Sequence, residues 1–552
     1  MKKMKFYLLS LSIFSISLSY SQSWQWARSY GGNYSEQIAK SKNDSKGNSI
    51  LAGWFMSDDI TFGSTTHSLT SLGYDAYITK IDSTGTVLWS KKPVCNGGAG
   101  VFVFASTVDM NDNVIVVGTT DGASIDFGNG VVWTNDAPSI SNLFIVKYNE
   151  DGTAQWTYNT FMTNASGINP TGITCDDNNN IYCVGTFTTI NHVGFSGPDS
   201  DTLQSGTNNS SFLVKLGANG VFDNVTHAYG DNSNSALDEQ GPRHINFGKD
   251  GYLYMIGNIE DLSDNSFDPF VRKINTNLST VWTKSYNTNN SGYFNDIEVD
   301  NSGNSYITGH FNGSTLTMGG NTLTNPNTNN EHIRMITSLN SNGDFRWHKL
   351  LSGTQSMAYG LAMSPSGTIY VGGTLRDTLI FGVAAPLFDL IVFSLNPTNG
   401  SENWNLVAGQ GFSDFSSKVI NDVICDSQGK VYVLGNHSSP SLSFGTSTVT
   451  SNGLDDVFIA KIGSPGVAST TELENIYFDF YPNPVKNTLM LASDNSSDLN
   501  ILLTDLSGKT VYETNKRFYQ NTIDLSSFES GVYLLTVQKE KDIVYSGKLI
   551  KE

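Results

Sequence analysis

Cysteine is scarce in this chain: four in 552 residues, Cys95, Cys175, Cys183 and Cys425, with no C-x-x-C pair. That excludes a disulfide-stapled scaffold and a thiolate zinc site of the usual spacing. Cations are also few. Against 51 Asp and Glu stand 32 Lys and Arg, a net charge of −19. A general nucleic-acid-binding role needs cations clustered along phosphates, so none is expected. Charged residues of both signs make up only 15% of the chain, against about 25% in an average globular protein. Long helices need Ala, Leu, Glu and Lys, and this composition does not favour them. Beyond the first residues no long apolar run occurs, so no membrane span is expected in the mature protein.

What is plentiful is Gly (53), Tyr (24) and Phe (30), with many Asn, Ser and Thr. Aromatics at 11% supply a core, and the rest suits strands joined by many turns. The N-terminus reads as an address. A basic stretch, Met1 to Lys5, precedes an apolar run from Phe6 to Leu18, and Ser19-Tyr20-Ser21 places small residues before a cut at Gln22. That is a secretory signal peptide over residues 1–21.

Internal repetition decides the expected fold. Apolar strands ending in Gly follow Asp- or Asn-rich turns, with the Gly at 53, 118, 185, 257, 309, 373 and 435. A second signature follows in each unit: an apolar strand, a Gly-containing turn, then an aromatic. It runs from Asp75 through Gly85 to Trp89, and from Phe144 through Gly152 to Trp156. The third unit ends on Phe222, and the next three on Trp282, Trp347 and Trp404. The seventh unit, Asp456 to Gly463, stops without a Trp, while Ser23 to Arg28 carries Trp24 and Trp26 ahead of the first. Each unit reads as four short antiparallel strands, which cannot bury both faces alone. The expectation is an all-β fold: a seven-bladed β-propeller over residues 22–463, its ring closed by the N-terminal strand. The units resemble the bacterial SBBP propeller repeat, with D-x-x-G-N-x-Y-x-x-G and D-x-F-x-x-K-x-x-x-x-G-x-x-x-W patterns. Phe-Gly pairs at Phe62, Phe127, Phe381 and Phe444 fit it too. The resemblance implies architecture and export, and no assigned chemistry. Cys175 and Cys425 occupy the repeat position of Val108 and Val299 and read as small buried side chains; a Cys175–Cys183 bridge stays open.

Residues 464–474 have a linker composition, and from residue 475 the repeat ends. Short alternating runs then suggest a small Ig-like β-sandwich over 475–552. Tyr481-Pro482-Asn483-Pro484, Asp505 to Gly508, Gly531-Val532-Tyr533 and the terminal Lys548-Leu549-Ile550-Lys551 resemble the type A sorting domain of the type IX secretion system of Bacteroidetes. That resemblance implies recognition by the secretion machinery through Tyr481, Pro482, Asn483, Pro484, Gly508, Gly531, Tyr533 and Lys548. It also implies a cell-surface or extracellular location.

Chemistry is sparse. Eight His show no H-x-x-x-H spacing, and His310, after a strand Gly, reads as a polar ring position. The Asp-rich turns at Asp109 and Asp176 have oxygens suited to calcium. They lack the closing bidentate Glu and read as hairpin turns, so no cofactor is expected. No nucleophile elbow and no catalytic residue is identified. The long connections, between second and third strands and between units, fall on one face. Trp54, Tyr74 and Trp133 on that face are candidate ligand contacts. The expected function is a surface or secreted module for a glycan or extracellular protein. The alternative is a secreted hydrolase or lyase acting on an extracellular polymer.

Overall fold

The structure, a computed structural model, describes residues 22–463 and 478–552, apart from 99, 136–138, 163–166, 189–191, 198–199, 205–209, 229–240, 262–265, 327–330, 352–356, 376–377, 381–382, 386–388, 410–417, 494–497, 506–508, 518–519 and 540–541. The leader expected at 1–21 and the linker expected at 464–474 lie outside the described residues. The chain divides into two compact units, Met1–Ser464 and Pro465–Glu552. All regular structure among the described residues is β, and no helix is long and apolar enough to cross a membrane.

Among the described residues the first unit holds seven four-stranded antiparallel sheets. Their innermost strands, in chain order, are Glu36–Ile38, Val101–Val108, Gly167–Cys175, Pro242–Phe247, Gly292–Val299, Met357–Met363 and Lys418–Cys425. Successive sheets pack on one another, and the seventh packs on the first, giving a closed, propeller-like circle. The outermost strand of the seventh sheet is Ser23–Tyr30, paired antiparallel with Asp456–Gly463. One apolar cluster spans the sixth and seventh sheets and includes Trp24, Val392, Phe444 and Phe458.

Two side-chain devices explain why the repeat recurs. The first sits in the turn between the first and second strands. Asp176 Oδ1 accepts the N–H groups of Asn178 and Asn180, closing the turn, while Oδ2 accepts the Tyr182 hydroxyl at 2.9 Å. Asp300 and Asp426 do the same with Tyr306 and Tyr432. Sheets with Ile in place of that Tyr use a lysine from the third strand: Lys80 to Asp44 at 2.7 Å and Lys147 to Asp109 at 2.6 Å. Although burial pushes the other way, these bonds hold the Asp44 and Asp109 carboxyls below their ordinary range. At Asp109, one of the turns with oxygens suited to calcium, the Lys147 ammonium lies on Oδ2.

The second device joins neighbouring sheets. The Trp of one outer strand lies over the Gly turn of the next sheet and donates its indole N–H to a carbonyl there. Trp89 bonds Glu150 O at 2.8 Å, Trp282 bonds Ser341 O at 3.1 Å and Trp347 bonds Pro397 O at 2.9 Å. Trp26, from the N-terminal strand, bonds Ser83 O at 3.2 Å and so ties the seventh sheet to the first. A Cβ built on Gly152 would stand 2.7 Å from Trp89, and one on Gly400 2.6 Å from Trp347. These glycines are needed twice, for a positive φ and for the indole's approach. The third sheet carries Phe222 instead of Trp. The facing turn of the fourth then carries Leu278 at φ 68, buried in a cluster with Tyr182 and Leu213 of the third sheet.

Several long connections are themselves hairpins, such as Asp59–Phe62 with Thr65–Ser68 and Leu442–Phe444 with Ser447–Val449. Their Phe residues point inward: Phe62 and Phe444 are fully buried, and each is followed by Gly at φ 60. Cys95, Cys175, Cys183 and Cys425 are all free, which closes the question of a Cys175–Cys183 bridge.

The second unit has a three-stranded sheet of Phe478–Tyr481, Thr488–Ser493 and Gln520–Asp524. A four-stranded sheet comprises Asp498–Thr504, Thr510–Arg517, Gly531–Lys539 and Asp542–Lys551. Both sheets share one apolar cluster, including Leu489, Leu503, Ile523 and Leu535.

The indole contact generates a controlled test. Gly152 and Gly128 both have positive φ (76 and 91), but only Gly152 faces an indole; nothing lies within 4 Å of a Cβ on Gly128. Gly128→Ala should cost about 1 kcal/mol of backbone strain. Gly152→Ala should cost about 1–3 kcal/mol more, as in overpacked cores. Equal thermal midpoints for the two variants would remove the indole from the account.

Candidate functional site

The inner strands surround a central channel, and a repeated irregularity shapes it. Six of them skip one residue in their pairing with the second strand, leaving Phe104, Thr171, Arg243, Asn295, Tyr359 and Asn421 as bulges. A bulge re-aims a side chain that the pleat would turn away. All of them except Tyr359, whose side chain lies outside the described residues, line a cavity of about 580 Å³. These positions belong to the early halves of their strands, so this cavity lies toward the long connections. The later residues line a second cavity of about 370 Å³ toward the short turns.

Lys40 lines both cavities and stands between them. Its ammonium donates to Asp296 Oδ2 at 2.6 Å and to Asp422 Oδ1 at 3.2 Å, joining the first, fifth and seventh sheets. The carboxylates are occupied on every oxygen. Asp296 Oδ2 also accepts Leu361 N at 3.1 Å, and Oδ1 accepts Ile297 N at 2.9 Å with His244 Nε2 at 3.5 Å. Asp422 Oδ2 accepts Ser41 N at 2.8 Å, and Oδ1 accepts Val423 N at 3.0 Å. Each Asp therefore reaches the backbone of the next sheet as well as Lys40. A parallel pair, Lys42 with Glu298 at 3.6 Å, lies below on the short-turn side.

Burial governs the charge states. It would pull Lys40 down, but the two carboxylates outweigh it and hold the ammonium above its ordinary value. Burial pushes the Asp422 carboxyl up to about 6 against the pull of Lys40. Asp296, with Lys40 and His244 beside it, stays below its usual range despite burial. Burial likewise lowers His244 to about 4, keeping the imidazole neutral. Among the described residues no group of three or more His, Cys, Asp or Glu could hold a metal ion.

This charged centre was not singled out from sequence. The available signal was Asn295-Asp296 and Asn421-Asp422, a polar pair interrupting an otherwise apolar inner strand in two units. Of the candidate ligand contacts, Trp133 is corrected. It is 7% exposed, on a hairpin strand facing Ile125, within an apolar cluster that includes Val103 and Phe127. Its ring stabilises the hairpin and is not offered to solvent. Trp54 and Tyr74 are half-buried, 5.1 Å apart and edge-on, and both pack on Phe102. Phe102 in turn neighbours Phe104, so an aromatic path leads to the cavity. His310 stacks on Tyr293 at 5.0 Å and meets His332 edge-on at 4.9 Å.

In the tail, Asn483 holds the last strand by both ends of its amide. Nδ2 donates to Lys548 O at 2.8 Å, and Oδ1 accepts Ile550 N at 2.9 Å. Val485 continues the tie, donating to Ile550 O at 2.8 Å and accepting from Glu552 N at 2.9 Å. Pro482, Pro484, Gly531 and Lys548 are exposed, and Tyr533 donates its hydroxyl to Glu529 O. Gly508 lies outside the described residues, as does the side chain of Tyr481.

Residues 479–552 match the family described as secretion system C-terminal sorting domain. This tail marks the chain for type IX export to the cell surface or extracellular space. An uncharacterized WD repeat-containing protein of Acanthamoeba polyphaga mimivirus is 29% identical over 229 residues, 37% of this chain and 15% of that protein. The chain thus spans less than a sixth of that relative's length. The structure of PorZ, a surface component of the type IX secretion system of Porphyromonas gingivalis, is similar over 93% of this chain and 81% of its own, at 10% identity and TM-score 0.25. Drosophila Plexin A, in complex with Semaphorin 1b, is similar over 80% and 87%, at 8% identity and TM-score 0.40. At TM-scores this low neither likeness carries an argument about function.

Two tests follow from the geometry. Lys40→Met leaves two buried carboxylates facing each other, which should cost about 3–5 kcal/mol at pH 7.5. Without the ammonium one of the pair must titrate higher than it does beside Lys40, so the deficit relative to wild type should shrink as pH falls from 8 toward about 6. A deficit independent of pH, measured by melting between pH 5 and 8, would deny the pair its role. In the tail, Asn483→Ala should cost about 1–3 kcal/mol and speed hydrogen exchange at the Ile550 amide. Unchanged exchange there would show that Asn483 does not hold the strand.

Proposed function

We propose that the seven sheets are the blades of an SBBP-type β-propeller spanning residues 22–463, closed by Ser23–Tyr30. The tail over 475–552 is an Ig-like sorting domain that engages the type IX machinery. The leader at 1–21 starts export, and 464–474 links the two folded parts. In this reading the propeller is cargo: a binding or adhesion module for a glycan or an extracellular protein, working at the cell surface or outside the cell. The long-connection mouth of the channel is its ligand face, with Trp54 and Tyr74 beside it.

One observation supports binding over catalysis. The carboxylates nearest the channel centre accept hydrogen bonds on all four oxygens, from Lys40 and from backbone N–H groups of their own and neighbouring sheets. The mouth itself carries amides, a hydroxyl, a guanidinium and an aromatic ring, groups that recognise but do not by themselves cleave. The enzyme reading, a hydrolase or lyase, draws on the same centre, where Asp422 is raised and Asp296 lowered. It would need one of those oxygens released, and structural ion pairs shift carboxyls in the same way.

Removal of residues 475–552 should leave a folded propeller retained in the periplasm, because address and ring lie in separate units. Normal appearance of the truncated chain at the surface would end the sorting assignment. On a polysaccharide panel the mature chain should bind at least one polymer without shortening it. Chain cleavage that disappears in Asp422→Asn would replace the binding reading with the enzymatic one.

A further inference from the structure

The second cavity, on the short-turn side of Lys40, takes no part in the function proposed above. Its volume of about 370 Å³ lies within the range of small-molecule sites. Each residue that lines it, and each of the seven turns that frame its opening, is among the described residues. The turns resemble one another, but the inner strands just ahead of them do not. Two residues before the turn stand Lys42, Thr174, Asn246, Glu298, Ala362 and Ile424 in six of the sheets, no two alike. The frame does not require these residues, since one position of the repeat takes six different ones.

On the polar part of the wall hydrogen-bond donors are in surplus. Lys42 lies 3.6 Å from Glu298 Oε1, too far for a hydrogen bond, and its side chain is 42% exposed. Glu298 Oε2 is taken by Asn246 Nδ2 at 3.1 Å. Burial holds the Glu298 carboxyl above its ordinary range even beside Lys42, which weakens its claim on that ammonium. Lys249, exposed at the rim, has no ion-pair or hydrogen-bond partner among the described residues. Its charge is felt at the Cys425 thiol of the seventh sheet, so it reaches over the opening. The Asn43 amide, next to Lys42, has neither end hydrogen-bonded. The other carboxylates of the wall are engaged. Asp296 and Asp422 are held by Lys40 and by backbone N–H groups, and Asp426 by its own turn and Tyr432. Two ammoniums with unused N–H groups stand against one weakly charged carboxyl, and an acceptor of negative charge completes them.

The remaining wall is apolar. Phe247, Ala362, Met363, Ile424 and Cys425, from the fourth, sixth and seventh sheets, line it. A sugar would leave its hydroxyls against this surface without partners. A second negative charge on the ligand would meet Glu298, and an ammonium would meet Lys42 and Lys249. One carboxylate on an apolar body matches both parts of the wall.

We propose that this cavity binds a small free carboxylic acid with an apolar body, its carboxylate between Lys42 and Lys249 and its body against Phe247, Ala362, Met363 and Ile424. The site is separate from the long-connection mouth and does not rest on the ligand proposed there. The test is calorimetry on the mature full chain with four probes: octanoate, octanol, octylammonium and the tripeptide Gly-Gly-Leu. Octanoate should bind about tenfold more tightly than octanol, and octylammonium more weakly than either. Lys249→Gln should weaken octanoate severalfold and leave octanol unchanged, with the thermal midpoint at the wild-type value, because Lys249 holds nothing else in place. Lys42→Gln should also weaken octanoate, and Lys42→Arg should keep most of the affinity. Met363→Gln should weaken octanoate and octanol alike. Lys46→Gln, an exposed cation on the same face outside the cavity, should change nothing. Equal affinity for octanoate and octylammonium, or an unaltered octanoate affinity in both Lys249→Gln and Lys42→Gln, would overturn the carboxylate assignment. Unaltered affinity in Met363→Gln would overturn the apolar wall as the seat of the body. Tighter binding of Gly-Gly-Leu than of octanoate, lost when its C-terminus is amidated, would overturn the free acid as occupant. No binding of any probe would overturn the site.

Discussion

The ring depends on one contact repeated around it: an indole of one sheet laid over the glycine turn of the next. A four-stranded sheet has two apolar faces and no partner of its own, so its stability comes from its neighbours. The Trp–Gly contact supplies area, and the indole N–H supplies direction, because it finds a carbonyl only when the sheets are in the right register. The N-terminal strand belongs to this scheme. Trp26 reaches Ser83 of the first sheet, and Trp24 reaches Val407 of the sixth. A strand distant in sequence thus supplies the seventh sheet with contacts on both sides. In the corresponding turn of the fourth sheet Leu278 takes the positive φ and is buried in a cluster with Tyr182 and Leu213 of the third.

A frame fixed at its periphery leaves its centre to be fixed separately. Inner strands are short and carry bulges, so their pairing alone does not determine the channel. The Lys40 cluster completes it by tying the first, fifth and seventh sheets through a single ammonium. Replacing such a buried cluster by apolar residues can be neutral, whereas breaking it is costly. Its value here lies in geometry: each Asp also fixes a backbone N–H of the next sheet, which sets the spacing of the strands that carry the bulges.

Most of this frame was legible in the sequence, because each repeat feature answers a local need. Asp closes a turn, Gly takes a positive φ, and Trp covers that Gly, so the pattern recurs from unit to unit, with Ser364, Phe222 and Leu278 as departures, and can be counted. The outer strand Ser23–Tyr30 was legible for the same reason, as a Trp strand with no unit of its own. The centre was not legible. Bulges leave no composition signature, and Arg243 and Asn421 look like ordinary strand polar residues until pairing shows that one residue is skipped. Lys40, Asp296 and Asp422 are far apart in the chain, and nothing local announces that they meet. Trp133 misled because a long polar connection suggests exposure, whereas this one folds into a hairpin with an apolar side.

The two ends of the channel are therefore unequal for a physical reason. At the short-turn end Asp44, Asp109, Asp176, Asp300 and Asp426 are each engaged by their own turn and by a Tyr or Lys, so a change there disturbs folding before it alters recognition. At the other end the chain enters each inner strand from a long connection, and the bulge frees one side chain per strand from the alternation of the pleat. Those side chains carry little of the packing and can differ without disturbing the ring. A near-symmetric scaffold with one asymmetric mouth presents varied chemistry at fixed spacing. The tail that carries it out of the cell has its own core and a terminal strand held by Asn483, so neither the address nor the mouth constrains the other's sequence.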